Sequence, residues 1–366
     1  MKELGEIITG NTPSKKTEAF WSSEDICFIK PDIIADDGIN EIVDSNEYIS
    51  ENARKKARIV GKNSIFITCI GSIGKIGIAS DGEYAFNQQI NAIIPNDRVQ
   101  PKYLAYNLLF NKPRFVAIAN APVVPIINKS QFGEFTVNIE TDIDRQCEIV
   151  DVLDKFTQII QQRNKEISAL DELIKARFVE MFGDPVANDM GWNTLHLENA
   201  CKSIVDCPHS TPSYTNEDTG FMCIRTSIVK KNKILWNDIE YISEDEFVKR
   251  IQRKKPEVGD IVYTREGAIL GIAAIIDRDC NVALGQRSML LSPDIDKCTS
   301  EFVCVAMNSD SFLDNVLKGV SGSASPHINV GNIKAFRMIM PPIELQKQFS
   351  NFVKQVDKSK FINQFL

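Results

Sequence analysis

Histidine and cysteine are the residue types that could supply metal ligands or a nucleophile in this chain. The three histidines, His196, His209 and His327, have no companions at the spacing of a metal site. The nine cysteines include no Cys-x-x-Cys pair, which favours reduced and mostly buried thiols. The sequence also offers no recognisable Ser-His-Asp or Cys-His set. We therefore expect neither a metal site nor a catalytic residue.

Residues 71–76, Gly-Ser-Ile-Gly-Lys-Ile, superficially suggest a loop that binds phosphate. A P-loop would need glycine at the position of Cys69 and serine or threonine at that of Ile76. Backbone amides and a metal-binding hydroxyl would both be missing. A glycine-rich hairpin is the better interpretation.

Two further segments superficially suggest methyl transfer or phosphodiester cleavage. Met-Pro-Pro-Ile at residues 340–343 has the prolines of an amine methyltransferase loop but not its polar and aromatic residues, so it indicates the entry to a helix. Asp260 and Glu266 flank a strand-like segment as a nuclease pair would, but no lysine follows Glu266. We interpret both as surface or turn carboxylates.

A long helix is expected over residues 143–182, and it is the main element that could position functional residues. Its apolar residues recur at steps of three and four, and no glycine or proline interrupts it before Gly183. At about 1.5 Å per residue it would extend roughly 60 Å. A shorter copy of the pattern covers the 24 residues from Ile343 to Leu366. The expected interface positions of these helices are Leu153, Phe156, Ile160, Ile167, Leu170, Ile174, Phe349 and Val353.

The rest of the chain repeats one order of segments twice. Tyr-Ile-Ser-Glu occurs at residues 48–51 and 241–244, and each copy precedes a run of basic residues. A glycine-containing hairpin follows in both halves, and then a glutamine-containing segment, residues 85–89 or 283–287. Two copies of one domain-plus-helix unit, with different opening segments, explain this order. Such a duplication suits the recognition of two different half-sites.

The net charge is -7 and the pI is near 5.3. These values argue against a protein that binds nucleic acid through a net positive charge alone. Basic residues are instead concentrated locally. The first run contains Arg54, Lys55, Lys56, Arg58 and Lys62, and the second contains Lys249, Arg250, Arg253, Lys254 and Lys255. Because there is no long apolar stretch and no leader pattern, we expect a cytoplasmic protein without a membrane span.

Taken together, these motifs resemble the specificity (S) subunit of Type I restriction-modification enzymes. The resemblance rests on the openings at residues 10–14 and 206–212, the helix starts Arg145-Gln146 and Leu345-Gln346, and residues 173–185. It implies an α+β fold: two repeated mixed α/β target-recognition domains joined by long antiparallel coiled-coil helices with pseudo-twofold symmetry. The expected bounds are residues 1–142 and 184–341 for the domains, and residues 143–183 and 342–366 for the helices.

The resemblance implies a non-catalytic subunit that recognises a two-part, asymmetric sequence in double-stranded DNA. Each domain would take one half-site, and the helices would set the spacing and dock methyltransferase (M) subunits, expected to be two. Restriction (R) subunits would join through the complex. The methyltransferase is expected to bind S-adenosylmethionine, whereas this chain is expected to bind no cofactor. The complex is expected in the cytoplasm of a bacterium or an archaeon. The alternatives are a stand-alone enzyme that modifies or cleaves DNA, and a coiled-coil scaffold that binds only protein.

A DNA-recognition role assigns functions to the polar residues near the hairpins. Arginine and lysine suit guanine edges, whereas glutamine suits adenine edges. The candidates for base contacts in the first half are Lys75, Gln88 and Gln89, and their expected counterparts in the second half are Arg265, Gln286 and Arg287. His209 is a further candidate, and the two basic runs are candidates for phosphate contacts. Each could instead be an exposed solubilising residue, and for His209 the two interpretations stand about even.

Overall fold

The computed structural model describes residues 1–119, 124–318 and 326–365. The chain divides into two compact units, Met1–Ile160 and Gln161–Leu366. We call them unit 1 and unit 2 and describe each by itself.

Unit 1 is built on two β-sheets. Its strands are β1 (Gly5–Thr9), β2 (Ile26–Ile29), β3 (Ile39–Ile42), β4 (Tyr48–Ile49), β5 (Ile59–Val60), β6 (Ile65–Thr68), β7 (Ile76–Ala79), β8 (Tyr84–Phe86) and β9 (Ile90–Pro95). The five-stranded sheet has the order β1-β9-β6-β7-β3, and the four-stranded sheet has the order β4-β2-β8-β5. β2–β8 and β3–β7 are parallel pairs. All residues of β6 are buried, as expected for an isoleucine-rich central strand that is covered on both faces.

The helices of unit 1 cover one side of the five-stranded sheet's core. They are α1 (Pro101–Phe110), α2 (Lys112–Ile118), α3 (Lys129–Glu134) and the first part of α4 (Ile143–Phe182). α3 begins with a reciprocal capping box between Asn128 and Gln131, which satisfies two backbone N–H groups. Phe115 stacks on Phe135 at 3.9 Å between ring centroids, and Val150 of α4 is buried in the same core.

Unit 2 contains four sheets. Its strands are β10 (Thr194–His196), β11 (Cys201–Asp206), β12 (Tyr214–Thr215), β13 (Met222–Ile224), β14 (Val229–Lys230), β15 (Lys233–Ile234), β16 (Glu240–Ile242), β17 (Ile261–Thr264), β18 (Ala273–Ile275), β19 (Val282–Leu284), β20 (Ser288–Pro293) and β21 (Arg337–Ile339). The larger sheets have the orders β11-β20-β17-β18 and β12-β16-β13-β19, and β10-β21 and β14-β15 are two-stranded. Its helices are α5 (Leu197–Ala200), α6 (Glu244–Arg250), α7 (Ser300–Asn308), α8 (Asp310–Lys318), α9 (Val330–Lys334), α10 (Ile343–Phe365) and the second part of α4.

The predicted duplication is confirmed by the topology of the two units. The order β1-β9-β6-β7 recurs as β11-β20-β17-β18, and β4-β2-β8 recurs as β16-β13-β19. The pair β2–β8 and its equivalent β13–β19 are both parallel. Because a parallel pair needs a crossover between its strands, this shared arrangement is a specific topological match.

The predicted antiparallel pairing of the long helices is observed within unit 2. Phe349 of α10 packs against Phe182 of α4 with ring centroids 5.5 Å apart, and Lys360 Nζ lies 2.7 Å from Asp171 Oδ1. From the first contact to the second, α10 advances from residue 349 to residue 360, while α4 goes back from residue 182 to residue 171. The two helices therefore run in opposite directions. Of the positions predicted for the partner or helix interface, Ile174, Phe349 and Val353 are buried, and Ile167 and Leu170 are half-buried.

The positions predicted for the partner or helix interface at the start of α4 lie at the surface of the chain. Phe156 and Ile160 are each 59% exposed, and Leu153 is half-buried. The ring and ion-pair contacts between α10 and α4 that the structure gives lie between Asp171 and Phe182. The apolar stripe of α4 also includes exposed residues N-terminal to these contacts. Among the described residues, no helix is both long and apolar enough to cross a membrane.

Candidate nucleic-acid interface

In unit 1, three segments meet where β6 and β9 approach the glycine hairpin. The backbone N–H of Cys69 donates to the carbonyl of Gln89 at 2.7 Å, and that of Gly71 donates to Pro125 at 3.0 Å. The N–H of Ile127 donates to the carbonyl of Cys69 at 2.9 Å. These main-chain bonds hold the hairpin, the glutamine segment and the Pro-x-x-Asn segment together.

Unit 2 repeats the same three bonds at equivalent positions. The N–H of Arg265 donates to the carbonyl of Arg287 at 3.0 Å, and that of Gly267 donates to Pro326 at 3.1 Å. The N–H of Ile328 donates to the carbonyl of Arg265 at 2.9 Å. Because the bonds involve only the main chain, they fix the backbone and leave the side chains free to differ.

We call this place the strand-end site of each unit and define it by six equivalent positions. In unit 1 they are Thr9, Cys69, Ile70, Gln89, Asn91 and Ile126, and in unit 2 they are Asp206, Arg265, Glu266, Arg287, Met289 and His327. Arg265 therefore corresponds to Cys69 and is not the counterpart of Lys75, whose backbone position is occupied by Ile272 in unit 2.

A threonine–glutamine pair lies beside the strand-end site in both units. Thr12 Oγ1 donates to Gln88 Oε1 at 2.9 Å, and Thr211 Oγ1 donates to Gln286 Oε1 at 3.2 Å. Each glutamine keeps its two amide N–H donors for another acceptor. The threonines were not among the predicted residues, although the Thr-Pro sequence shared by both openings was the available signal.

Two other predicted residues of unit 1, Lys75 and Gln89, form hydrogen bonds to neighbouring groups within the protein. Lys75 is 14% exposed, lies 2.7 Å from Asp36 and donates to the carbonyl of Pro31. The hydrogen bond from Lys75 lowers the pKa of Asp36 below its usual value. Gln89 Oε1 accepts a hydrogen bond from Asn87 Nδ2 at 2.9 Å.

The strand-end site of unit 2 contains a network of charged groups. Arg265 Nε lies 3.1 Å from Asp206 Oδ1, and Arg265 Nη2 lies 2.8 Å from Glu266 Oε1. The side chain of Arg265 is only 6% exposed, so its guanidinium stabilises the site and offers little surface to a ligand. His209 Nε2 is 3.1 Å from Asp206 Oδ2 and the side chain is 66% exposed. Sequence patterns did not identify Asp206 as a partner of Arg265, because the two residues are distant in the chain.

Arg287 differs from Arg265 in being exposed. Within the described residues its guanidinium has no hydrogen-bond or ion-pair partner. It lies beside Gly267, where an added Cβ would be 3.6 Å from Nη1. The backbone of Arg287 has a φ of 72°, in the left-handed region that long side chains rarely adopt.

The first basic run includes three exposed cations, Lys55, Lys56 and Arg58, on and after a 3₁₀ turn. Arg54 instead forms a bidentate ion pair with Glu83, in which Nη1 and Nη2 lie 2.9 and 2.6 Å from the two carboxylate oxygens. Lys62 Nζ lies 2.8 Å from Asp81 Oδ1. Arg54 and Lys62 remain partly exposed. The run can therefore present positive charge at the surface of unit 1.

The second run divides into structural and surface residues. The prediction that Arg250 contacts phosphate needs correction, because its side chain is only 1% exposed. Its guanidinium bonds to Glu246 and to the carbonyls of Ser210 and Leu284. Lys254 is also held, at 2.8 Å from Asp260 and 3.0 Å from Glu257. Burial opposes the charge of Lys254, but the two carboxylates raise its pKa overall.

The remaining residues of the second run, Lys249, Arg253 and Lys255, are exposed. Arg253 donates to the carbonyl of Asp206 at 3.2 Å, which brings this cation to the last residue of β11 and the strand-end site. Lys255 Nζ donates to Asn281 Oδ1 at 3.2 Å. Throughout the residues that the structure describes, no three His, Cys, Asp or Glu side chains are grouped as metal ligands.

Comparison with known proteins identifies the duplicated architecture. The family of Type I restriction modification DNA specificity domains matches residues 1–169 and again residues 192–364. The chain belongs to this family. The two matched segments each contain one strand-end site, so the duplication seen in the topology is a duplication of the DNA specificity domain.

Individual relatives agree with this assignment. The Type I restriction enzyme MjaIX specificity subunit of Methanocaldococcus jannaschii is 23% identical over 389 residues, covering 100% of this chain and 87% of that protein. The Type I restriction enzyme HindI specificity subunit of Haemophilus influenzae is 29% identical over 164 residues, covering 44% of this chain and 33% of that protein. The crystal structure of an S subunit from M. genitalium has a TM-score of 0.50 at 14% identity and covers 99% of this chain and 89% of that chain, which shows a shared fold.

Proposed function

We propose that this chain is the DNA sequence-recognition subunit of a Type I restriction-modification complex, in which each unit reads one half of a two-part site. The observation that carries the proposal is the strand-end site, which has the same backbone bonds in both units but different side chains. Because a common scaffold with different side chains can bind different bases in a similar pose, the duplication suits an asymmetric target.

The exposed basic residues near these sites supply contacts to the DNA backbone. Lys55, Lys56 and Arg58 serve unit 1, whereas Lys249, Arg253 and Lys255 serve unit 2. Phosphate contacts fix the position of a protein on the duplex without selecting a sequence. Arg250 and Lys254 do not belong to this set because their charges are held by internal partners.

The uncovered apolar stripe of α4 is the surface that we assign to a methyltransferase subunit. Val152, Phe156, Ile159 and Ile160 recur at helical spacing and are each at least 50% exposed. Apolar residues at this spacing suit a partner protein that buries the stripe. By analogy with the family we propose two methyltransferase subunits carrying S-adenosylmethionine, with restriction subunits joining the complex in the cytoplasm.

The experiment that tests this function is co-expression with the methyltransferase subunit of the same host, followed by single-molecule sequencing of the methylated DNA. We expect methylation at a two-part motif with a fixed gap. Methylation or cleavage of DNA by the purified chain without partners would instead favour a stand-alone enzyme. A complex that forms but methylates no defined sequence would favour the scaffold.

A further inference from the structure

The two strand-end sites differ in charge although their backbones match. The six positions of unit 1 carry no ionisable acid or base, apart from the thiol of Cys69. In unit 1, Thr9 Oγ1 donates to Asn91 Oδ1 at 2.7 Å, and Asn91 Nδ2 donates to Cys69 Sγ at 3.2 Å. In unit 2 the positions of Thr9 and Cys69 hold the ion pair of Asp206 and Arg265. The sites therefore present different chemistry at the same place.

Within the site of unit 2, Arg287 is the group with uncommitted donors. Arg265 is buried between Asp206 and Glu266, whereas Arg287 is exposed and its guanidinium has no partner within the described residues. Its backbone bond to Arg265 ties it to the hairpin. A left-handed φ at a long side chain costs free energy, and such strain is concentrated at functional sites.

The charges around Arg287 argue for a base contact over a phosphate contact. At the six positions of the site, Asp206 and Glu266 together balance the charges of Arg265 and Arg287, so the surplus positive charge that could attract a phosphate is that of Arg253 beside the site. Unit 1 holds a neutral glutamine, Gln89, at the same position. The DNA backbone is alike in both half-sites, so a phosphate contact would be needed equally in both units, whereas a base contact would differ between them.

We propose that Arg287 reads a guanine in the half-site bound by unit 2. This proposal rests on the proposed function, and it identifies one base of the DNA half-site that unit 2 would recognise. An arginine fork can donate two parallel hydrogen bonds to the O6 and N7 atoms of guanine in the major groove, which the other three bases cannot accept in that geometry. The Thr211–Gln286 pair lies beside it, so the neighbouring glutamine amide is available for the adjoining base pair.

The test uses the complete complex with Arg287→Gly and Arg287→Gln, each co-expressed with the methyltransferase subunit. Glycine accepts the left-handed backbone, so Arg287→Gly removes the guanidinium without disturbing the turn. We expect the preference for guanine to fall about ten- to a hundredfold at one position of one half-site, with the other half-site unchanged. The unchanged half shows that the variant folds and assembles.

Lys233→Gln is the matched control, because it removes an exposed cation of the same unit that is assigned to no DNA contact. It should leave the motif unchanged at every position. A uniform loss of methylation in Arg287→Gly, with no change in base preference, would overturn the inference in favour of a phosphate contact, and an unchanged motif would overturn it altogether. A wild-type complex without any two-part motif would contradict the proposed function itself, which is a separate result.

Discussion

At the scale of single residues, two buried glutamines fix the starts of the long helices. Gln146 Oε1 accepts from the N–H of Gln100 at 2.7 Å, and Gln346 Oε1 accepts from the N–H of Thr299 at 3.1 Å. Each amide also donates to the carbonyl that lies six or five residues earlier, at Glu140 or Pro341. Both side chains are 0% exposed, so loss of these bonds would leave buried backbone groups unsatisfied.

The thiols give a prediction at the same scale. Burial raises the pKa of Cys69 to about 11 and the pKa of Cys201, Cys223 and Cys298 to about 12. These groups are therefore protonated thiols at pH 8, and the thiolate is the reactive form. Exposed Cys147 should be alkylated first by iodoacetamide. Peptide mass spectrometry would follow the order, with urea-unfolded protein as the control in which all nine react. Rapid labelling of Cys223 in the folded chain would contradict the assignment.

The roles of individual cations were the least predictable part of the site. The sequence placed Arg250 and Arg265 in the right neighbourhood, since both lie in unit 2 near the strand-end site. It did not show that Glu246, Asp206 and Glu266 would hold their charges. Asp206 is far from Arg265 in the chain, and such a pairing is set by the tertiary fold rather than by local spacing.

At the scale of elements, the long helix was predictable because its signals are local. The three-four apolar spacing gives α4, and Gly183 ends it with a left-handed φ of 72° and an N–H that donates to the carbonyl of Val179. The exposure of Phe156 and Ile160 was not predictable. Periodicity shows which residues share a helix face, but it does not show how far a partner helix extends.

The exposed stripe leads to a prediction about assembly. Phe156→Asp with Ile160→Asp should abolish binding of the methyltransferase subunit, because charges replace the apolar face that we assign to the partner. The free energy of unfolding should change by only about 0.5 kcal/mol, since both side chains are 59% exposed. Co-purification measures binding, and urea denaturation measures stability.

Val43→Asp provides the control for that double variant, because Val43 is an apolar residue that is 69% exposed elsewhere in unit 1. It should leave the complex intact. If the double variant still co-purified with the methyltransferase at the wild-type ratio, the stripe of α4 would not be the docking surface.

At the scale of the whole molecule, the duplication reconciles an acidic chain with DNA recognition. The net charge of -7 gives no bulk attraction to DNA, yet each unit has exposed cations, and in unit 2 Arg253 bonds to Asp206 of the strand-end site. Methyltransferase subunits that neutralise the remaining phosphates would complete the binding in the complex. Selectivity then depends on a few side chains carried by a repeated scaffold.

The order of segments made this duplication visible in the sequence, and the strand orders confirm it. The equivalence of particular side chains was harder to predict, because small insertions shift the alignment. Thus Lys75 was paired with Arg265, although the backbone bonds pair Arg265 with Cys69.

Exchange of the recognition segments tests the central claim most directly. Residues 1–142 would be replaced by the corresponding segment of a relative with a different target, leaving α4 and unit 2 unchanged, and methylated DNA would be sequenced after co-expression with the methyltransferase. The account predicts that one half of the motif changes to that of the donor, while the other half and the gap remain as in the wild type. A motif in which both halves change together, or neither does, would contradict it.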